Sequence, residues 1–252
     1  MLAEERLAAI LAAVEKRRAI SVAELCRETG ASEATIRRDL LLLDRQGKLT
    51  KVHGGAMALG GEFDPEEPDL PTKAQRHVTE KDRIGRYAAA LVYDEDFVFL
   101  DAGTTTLAMA NYLEGSKATF VTTGIACARK LGELGCKVYV VGGRLKLGTE
   151  AIVGAEALAA IGQYNFTKAF LGTNGVAVRQ GCTTPDIEEA AVKTRAAEQA
   201  YMTYVLADSS KFGKVTAVTV CPLKDVCIIT DRLPEESYRQ YAVVKEVGVD
   251  EE

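Results

Sequence analysis

Phe97-Val98-Phe99-Leu100-Asp101-Ala102-Gly103-Thr104-Thr105-Thr106 decides the reading of the larger part of this chain. Four apolar residues in succession, rich in aromatic and β-branched types, read as a strand buried on both faces. Asp-x-Gly then stops the strand, and three hydroxyls open a helix. Gly103 lets backbone come close to a ligand. A helix start offers unpaired amides and partial positive charge to an anion. Open α/β sheets bind ligands outside the carboxyl ends of their strands, so this junction is a candidate phosphate cradle. No G-K-[ST] comes after it, so it is not a Walker P-loop. Taken alone, the pattern fits a simple helix cap equally well.

Further β-rich runs lie at Thr119–Thr122, Val138–Val141, Ala169–Leu171, Tyr204–Ala207 and Val226–Thr230. Helical stretches separate most of them, such as Thr105–Leu113, Ile125–Leu134 and Asp186–Ala200. That alternation predicts an α/β domain with a largely parallel sheet. Several strand ends are polar and glycine-rich: Thr122-Thr123-Gly124, Gly142-Gly143-Arg144, and Leu171-Gly172-Thr173-Asn174-Gly175. Their convergence on one crevice is more specific than any one of them. Asp186, Glu189 and Lys193 are spaced i, i+3 and i+7, on one face of a helix. A surface Glu189–Lys193 pair would contribute only roughly a few tenths of a kcal/mol. The functional alternative has Asp186 and Glu189 binding sugar hydroxyls and Lys193 reaching a phosphate. Lys211, in Asp208-Ser-Ser-Lys211, is a second candidate phosphate ligand, while Asp208 equally suits a turn.

The first 57 residues read differently. Leu7, Ile10, Leu11 and Val14 recur at helical spacing. Ser21 followed by Glu24 forms a capping box for a second, short helix ending near Gly30. Ser32 is an N-cap for a third, Glu33 to Gln46. Lys48 to Gly55 reads as a short strand pair with a glycine turn. Two short helices, a glycine turn and a third helix make a helix-turn-helix candidate. Ile36, Leu40 and Leu43 share the core stripe, while Ala34, Arg38 and Arg45 point away, with Thr35 and Arg37 on the flanks. Leu41 and Leu42 also fall on the outer side, packed under the wing or in a dimer contact. An Arg pair alone reads more readily as a solvated face. The whole constellation reads as a recognition helix, with arginines for guanine or phosphate and hydroxyls for phosphate or bases. The candidate DNA contacts are Ser21, Ser32, Glu33, Thr35, Arg37 and Arg38, with Lys48, Lys51 and His53 on a wing.

Charge agrees with two modules. Residues 1–57 carry ten Lys/Arg and eight Asp/Glu; the remainder carries 21 against 28. Ala58 to Pro71 holds two glycines, three prolines and five acids in 14 residues, which breaks every periodicity. The expected boundaries are a DNA-binding domain 1–57, a linker 58–75 and an effector domain 76–252. Composition is 47% hydrophobic and 27% charged, which argues against disorder. Six cysteines without a C-x-x-C pair, and two histidines, give no zinc pattern. No cofactor or metal is expected. No run of 18 apolar residues predicts a membrane helix. Glu4 and Glu5 stand where a signal peptide would be basic, so a cytoplasmic location without membrane contact is expected.

Ser32-Glu-Ala-Thr-Ile-Arg-Arg-Asp-Leu40, after Ser21-Val-Ala-Glu-Leu25 and before Val52-His-Gly-Gly-Ala56, resembles the winged helix of the DeoR family of bacterial transcription regulators. The D-x-G-T-T, G-G, L-G-x-x-G and A-D-x-S-K-F-G motifs extend the resemblance over nearly the whole chain. It implies an effector domain with the fold of ribose-5-phosphate isomerase that binds phosphorylated sugars. Asp101–Thr106, Phe170–Val176 and Cys182–Asp186 further resemble the fructose operon repressors of Gram-positive bacteria, which implies fructose 1-phosphate. Cys182 stands where Phe is expected in G-F-T-T-P-D, and Thr123 where many relatives have Asn. The candidate effector set is Asp101, Gly103, Thr104, Thr105, Thr106, Thr123, Gly143, Arg144, Gly172, Thr173, Asn174, Gly175, Asp186, Glu189, Lys193 and Lys211.

The expected function is a repressor that leaves double-stranded operator DNA when a sugar phosphate binds. A homo-oligomer, dimer or tetramer, is implied because one such module rarely gives enough affinity. An isomerase-like enzyme using Asp101, Asp186 or Glu189 as a base would have no use for the Arg37-Arg38 helix. An architectural protein whose body only dimerises would leave the glycine-threonine loops unexplained.

Overall fold

The computed structural model describes residues 2–17, 19–52, 54–58 and 62–248. The chain separates into two compact units, residues 1–61 and 62–252.

The first unit runs α1 (Ala3–Arg17), β1 (Ala19–Ser21), α2 (Val22–Thr29), α3 (Glu33–Arg45), β2 (Thr50–Val52) and β3 (Gly55–Met57). The Ser21–Glu24 capping box forms: the Glu24 amide donates to Ser21 Oγ at 3.2 Å and the Ser21 amide to Glu24 Oε2 at 2.9 Å. Gly30 closes α2 in the left-handed conformation, φ 69°. Ile10, Val14, Leu25, Ile36, Leu40 and Leu43 bury together as the core. Arg6 of α1 clamps the buried Asp39 of α3 through Nε–Oδ2 at 2.6 Å, fixing α3 from behind. The expected strand pair β2–β3 is present, but β1 joins it in an antiparallel sheet ordered β1-β3-β2. A three-residue strand is too short to show a period in sequence.

The second unit opens with β4 (Glu62–Phe63), α4 (Leu70–Gln75) and α5 (Val78–Ala89). It continues β5 (Phe97–Leu100), α6 (Thr104–Ala110), β6 (Thr119–Thr122), α7 (Ile125–Glu133), β7 (Lys137–Val140), β8 (Arg144–Lys146), β9 (Ala151–Val153) and α8 (Ala155–Ile161). Then come β10 (Phe166–Gly172), β11 (Gly175–Ala177), β12 (Gly181–Thr184), α9 (Ile187–Glu198), β13 (Ala200–Leu206), β14 (Lys214–Val215), β15 (Val218–Cys221), β16 (Cys227–Thr230) and β17 (Val243–Glu246). Residues 62–75, counted with the linker from sequence, thus carry a strand and a helix of this unit.

All six expected strands sit in one seven-stranded sheet, ordered β17-β16-β13-β10-β5-β6-β7 and parallel throughout. The seventh, β17, is an edge strand alternating exposed and half-buried residues, with Lys245 and Glu246 in it. Its charges concealed it. Side chains along each strand alternate between two apolar clusters: Phe99, Val121, Ala169 and Leu171 join one, Val98, Leu100, Phe120 and Phe170 the other. The order reverses between β5 and β10, the switch point at which such sheets bind ligands. β11, β12 and β15 form a small antiparallel sheet, and β4 pairs with β14.

Gly85 of α5 lies against α6. A Cβ there would stand 2.6 Å from Met109 N and 2.8 Å from Ala108 C, both backbone atoms. Gly85→Ala is therefore expected to destabilise by about 1–3 kcal/mol through overpacking, against the ~1 kcal/mol that helix propensity favours. Urea unfolding measures this, and a variant as stable as the parent would contradict so close a crossing.

Candidate functional site

In the first unit, α3 presents Arg38 exposed and without an ion-pair partner among the described residues, on the side opposite Ile36, Leu40 and Leu43. Arg37 is exposed but paired with Glu33 at 3.2 Å. Ser32 caps α3 by accepting the Thr35 amide at 3.3 Å, and its hydroxyl lies 2.9 Å from that of Thr35. Ser21, a candidate DNA contact, is engaged within its own helix cap. Its hydroxyl accepts the Glu24 amide and donates to Glu24 Oε2 at 2.6 Å, so the capping box engages it in both directions. Lys48 and Lys51 are exposed, and the Lys51 amide is fixed by Asp44 Oδ1 at 2.8 Å. His53 lies outside the described residues. Leu41 and Leu42 are exposed, not packed beneath the wing within this chain.

In the second unit, a cavity opens at the β5/β10 switch point. Its walls are the β5–α6 turn (Ala102, Gly103, Thr104, Thr105), the end of β10 (Gly172, Thr173, Asn174), α9 (Glu189, Lys193) and the loop into β14 (Ser210, Lys211, Lys214). Thr149 completes one side. The remaining wall is the segment before and at the start of α5: Asp64, Glu66, Pro68, Leu70, Lys73, Arg76, His77 and Lys81. Six Lys/Arg side chains face three carboxylates, so the cavity favours an anion.

The expected effector residues divide. Gly103, Thr104, Thr105, Gly172, Thr173, Asn174, Glu189, Lys193 and Lys211 are brought together at the cavity. Asp101 stands behind them: it is buried, accepts the Gly172 amide on Oδ2 at 2.9 Å, and forms an ion pair with Lys193. It positions Lys193 and the end of β10.

Thr106, Thr123, Gly143, Arg144, Gly175 and Asp186 are not among the lining residues. Thr106 Oγ1 accepts the Gly103 amide at 2.9 Å and donates to Asp101 O, holding the turn together. Thr123 is buried, its carbonyl bonded to the Ile152 amide. Gly143 packs where a Cβ would meet Val153 O at 2.7 Å, and Gly175 where one would meet Lys214 O at 2.5 Å. Arg144 pairs with Glu188 on the surface. Asp186 caps α9 by accepting the Glu189 amide at 2.9 Å and pairs with Lys146 at 3.0 Å.

Two family models match the chain: the DeoR-like helix-turn-helix domain over residues 6–60 and the DeoR C terminal sensor domain over residues 76–232. The chain belongs to the DeoR family. Among relatives of this DeoR-family chain, the "uncharacterized HTH-type transcriptional regulator FruR" of Bacillus subtilis (strain 168) is 41% identical, covering 98% of this chain and 99% of the relative. The "HTH-type transcriptional repressor GlcR" of the same organism is 32% identical over 94% of this chain and 92% of its own. A "lactose phosphotransferase system repressor" of Staphylococcus epidermidis (strain ATCC 12228 / FDA PCI 1200) is 34% identical over 90% and 91%. These relatives are named as regulators and repressors, and the chain is a regulator of that family. Among solved structures, ribose 5-phosphate isomerase A from Methanocaldococcus jannaschii is similar at a TM-score of 0.40 and 16% identity, covering 52% of this chain and 53% of that one. No helix among the described residues is long and apolar enough to cross a membrane.

The sensor unit's electrostatics come largely from residues without a recognisable motif in the sequence. Burial pulls the Lys81 ammonium down to about 8, and Lys211 and Lys73 add like-charge repulsion against the attraction of Asp208. Burial also pulls Lys73 below its ordinary value. Lys81 Nζ donates to the Lys73 carbonyl, tying α5 to α4. Burial pushes the Glu189 carboxyl up, but the charge of Lys193, the Thr149 hydroxyl at 2.6 Å and Lys146 at 3.0 Å outweigh it and hold it below its usual range. Glu189 is therefore an ionised acceptor in a cationic cavity. Lys146 also reaches Glu67 at 2.7 Å, anchoring the wall segment. The visible signal for this wall was the basic run Lys73-Ala-Gln-Arg76-His77 with Lys81 beyond it.

Proposed function

We propose that this DeoR-family regulator represses a sugar-utilisation operon by binding its operator in the cytoplasm as a dimer or tetramer. A phosphorylated sugar entering the sensor cavity releases it. The observation that carries this reading is the cavity itself: six Lys/Arg side chains, a glycine-threonine turn that admits close backbone approach, and, among its three carboxylates, the buried and ionised Glu189, suited to sugar hydroxyls. Lys73, Lys81, Lys193 and Lys211 would hold the phosphate. Glu189 and Asn174 would read the sugar. The relatives named as a lactose phosphotransferase system repressor and as GlcR support a sugar operon as the target. The resemblance of Asp101–Thr106, Phe170–Val176 and Cys182–Asp186 to fructose operon repressors supports fructose 1-phosphate.

Release is a matter of linkage. If the sugar phosphate prefers a conformation that grips DNA poorly, DNA weakens sugar-phosphate binding by the same factor. The cavity wall formed by residues 64–77 follows the first unit along the chain, which supports this segment as the link between ligand and DNA reader.

A thermal-shift panel tests the effector. Fructose 1-phosphate at about a hundred times its dissociation constant should stabilise by about 2.7 kcal/mol, with fructose and fructose 6-phosphate shifting less. The same ligand should release operator DNA. A shift with no phosphate ester in the panel would overturn the reading.

The affinity should also depend on pH with a defined sign. An anion prefers Lys81 protonated, and in the free protein that proton leaves at about 8. Affinity should be level near neutrality and fall above pH 8, by up to about tenfold per pH unit, one proton being taken up with the ligand. Lys81→Met should bind more weakly and lose that slope. A parent affinity flat to pH 9.5 would remove Lys81 from the site.

A further inference from the structure

β12 and β15 run antiparallel, and their register sets Cys182 directly opposite Cys221, beside a bulge where the register shifts between Cys182 and Thr183. Directly opposed residues on antiparallel strands have Cα atoms about 4.5–5.5 Å apart, inside the ~4.4–6.8 Å that a disulfide spans. Both side chains are buried, Cys221 at 7% exposure against 1% for Cys182. Both are free thiols. We infer that Cys182 and Cys221 form a reversible dithiol–disulfide site, closed by hydroperoxides.

The two thiols are not equivalent. The hydrogen bond from Cys182 holds the Cys221 thiol below its ordinary value against burial, while that same bond and burial push Cys182 up. The other buried cysteines lack this arrangement. Burial pushes Cys127 up to about 12, and its Sγ contacts the Asp101 carbonyl; Cys136 Sγ contacts the Leu113 carbonyl. Cys221, the more accessible of the pair and the more readily ionised, is the attacking sulfur.

Its thiolate attacks one oxygen of hydrogen peroxide. The O–O bond breaks, the second oxygen leaves as hydroxide and takes up the Cys221 proton as water, and Cys221 becomes a sulfenic acid. Cys182 sulfur then attacks that sulfur. The S–O bond breaks, and the departing hydroxide takes the Cys182 proton as a second water. Two thiols are oxidised by two electrons and one peroxide is reduced to two waters. A thiol reductant reverses the bridge by exchange.

The site is one residue from the cavity wall. The Thr183 carbonyl accepts both the Asn174 amide and the Thr173 hydroxyl at 3.0 Å. A bridge at Cys182 therefore pins the strand that holds these two lining residues.

The test treats folded full-length protein with hydrogen peroxide, alkylates it under denaturing conditions and maps the peptides by mass spectrometry. The expected result is a single bridge joining the Cys182 and Cys221 peptides, lighter by two hydrogens. Alkylatable thiols fall from six to four, and dithiothreitol restores all six. In urea-unfolded protein, pairing should lose this selectivity. Cys182→Ser should leave Cys221 as a sulfenic acid that dimedone traps; where that variant does not fold, the map of the parent protein decides alone. Six free thiols after peroxide, a bridge between other cysteines, or Cys221 found only as sulfinic acid would overturn the inference.

Discussion

Lys193→Met is expected to destabilise the sensor unit by about 3–5 kcal/mol, the cost of stranding one partner of a buried ion pair. Lys193 and Asp101 are both nearly inaccessible, at 5% and 3% exposure, and their charges meet directly. With the ammonium gone, Asp101 keeps one amide donor, Gly172 N at 2.9 Å, at 3% exposure behind the cavity wall. One hydrogen bond does not replace a counter-charge at that depth. The double variant Asp101→Asn, Lys193→Met should recover much of the loss, because a neutral amide next to a thioether strands no charge. Urea unfolding of the single and double variants measures both terms. A single-variant loss below about 1 kcal/mol would mean that the pair is solvated, contrary to its burial. The double variant, once stable, should still bind sugar phosphate weakly, since Lys193 also lines the cavity.

Arg38→Ala is expected to weaken operator binding by about 5- to 150-fold, or about 1–3 kcal/mol, while leaving stability and sugar-phosphate binding unchanged. Arg38 is exposed and has no ion-pair partner among the described residues, so its removal costs the fold little. Arg37 is partly occupied by Glu33, which makes Arg38 the freer cation of the two. Fluorescence anisotropy over a salt series separates its roles. A phosphate contact lowers the salt slope by about one and weakens all sequences alike; a base contact relaxes specificity at one position. Arg38→Lys keeps the charge but not the bidentate fork, so it rescues the first role and not the second. Unchanged operator affinity at every salt concentration would reject α3 as the reading helix.

Legibility tracked the range of the interactions. The α3 stripe of Ile36, Leu40 and Leu43, the Ser21–Glu24 box and the Ser32 cap depend on residues three or four apart, and all were readable. So were six runs of the sheet: five inner strands, whose apolar character reflects burial on both faces, and the edge strand β7, whose Val138-Tyr139-Val140-Val141 run is apolar although Tyr139 and Val140 are exposed. β17, the other edge, was not, because charge interrupts its apolar pattern. β1 was not, because its three residues become a strand only when β3 lies beside them.

The candidate site divided along the same line. Sequence by itself determined that a helix-turn-helix unit precedes an α/β sensor, and that Gly103, Thr104, Thr105, Gly172, Thr173 and Asn174 lie at strand ends, because local backbone chemistry sets strand ends and helix starts. It could not decide which strand ends meet. Thr123, Gly143 and Arg144 have the same local chemistry, yet they face β9 or α9's outer surface rather than the cavity. Only the tertiary structure, by placing β10 next to β5, turned Asp101 from a ligand candidate into the partner of Lys193, ninety-two residues away. Only it brought Lys73 and Lys81 to the same cavity as Lys211 and lowered the Lys81 ammonium to about 8. Burial and long-range charge act through space, and neither is written in the spacing of residues along the chain.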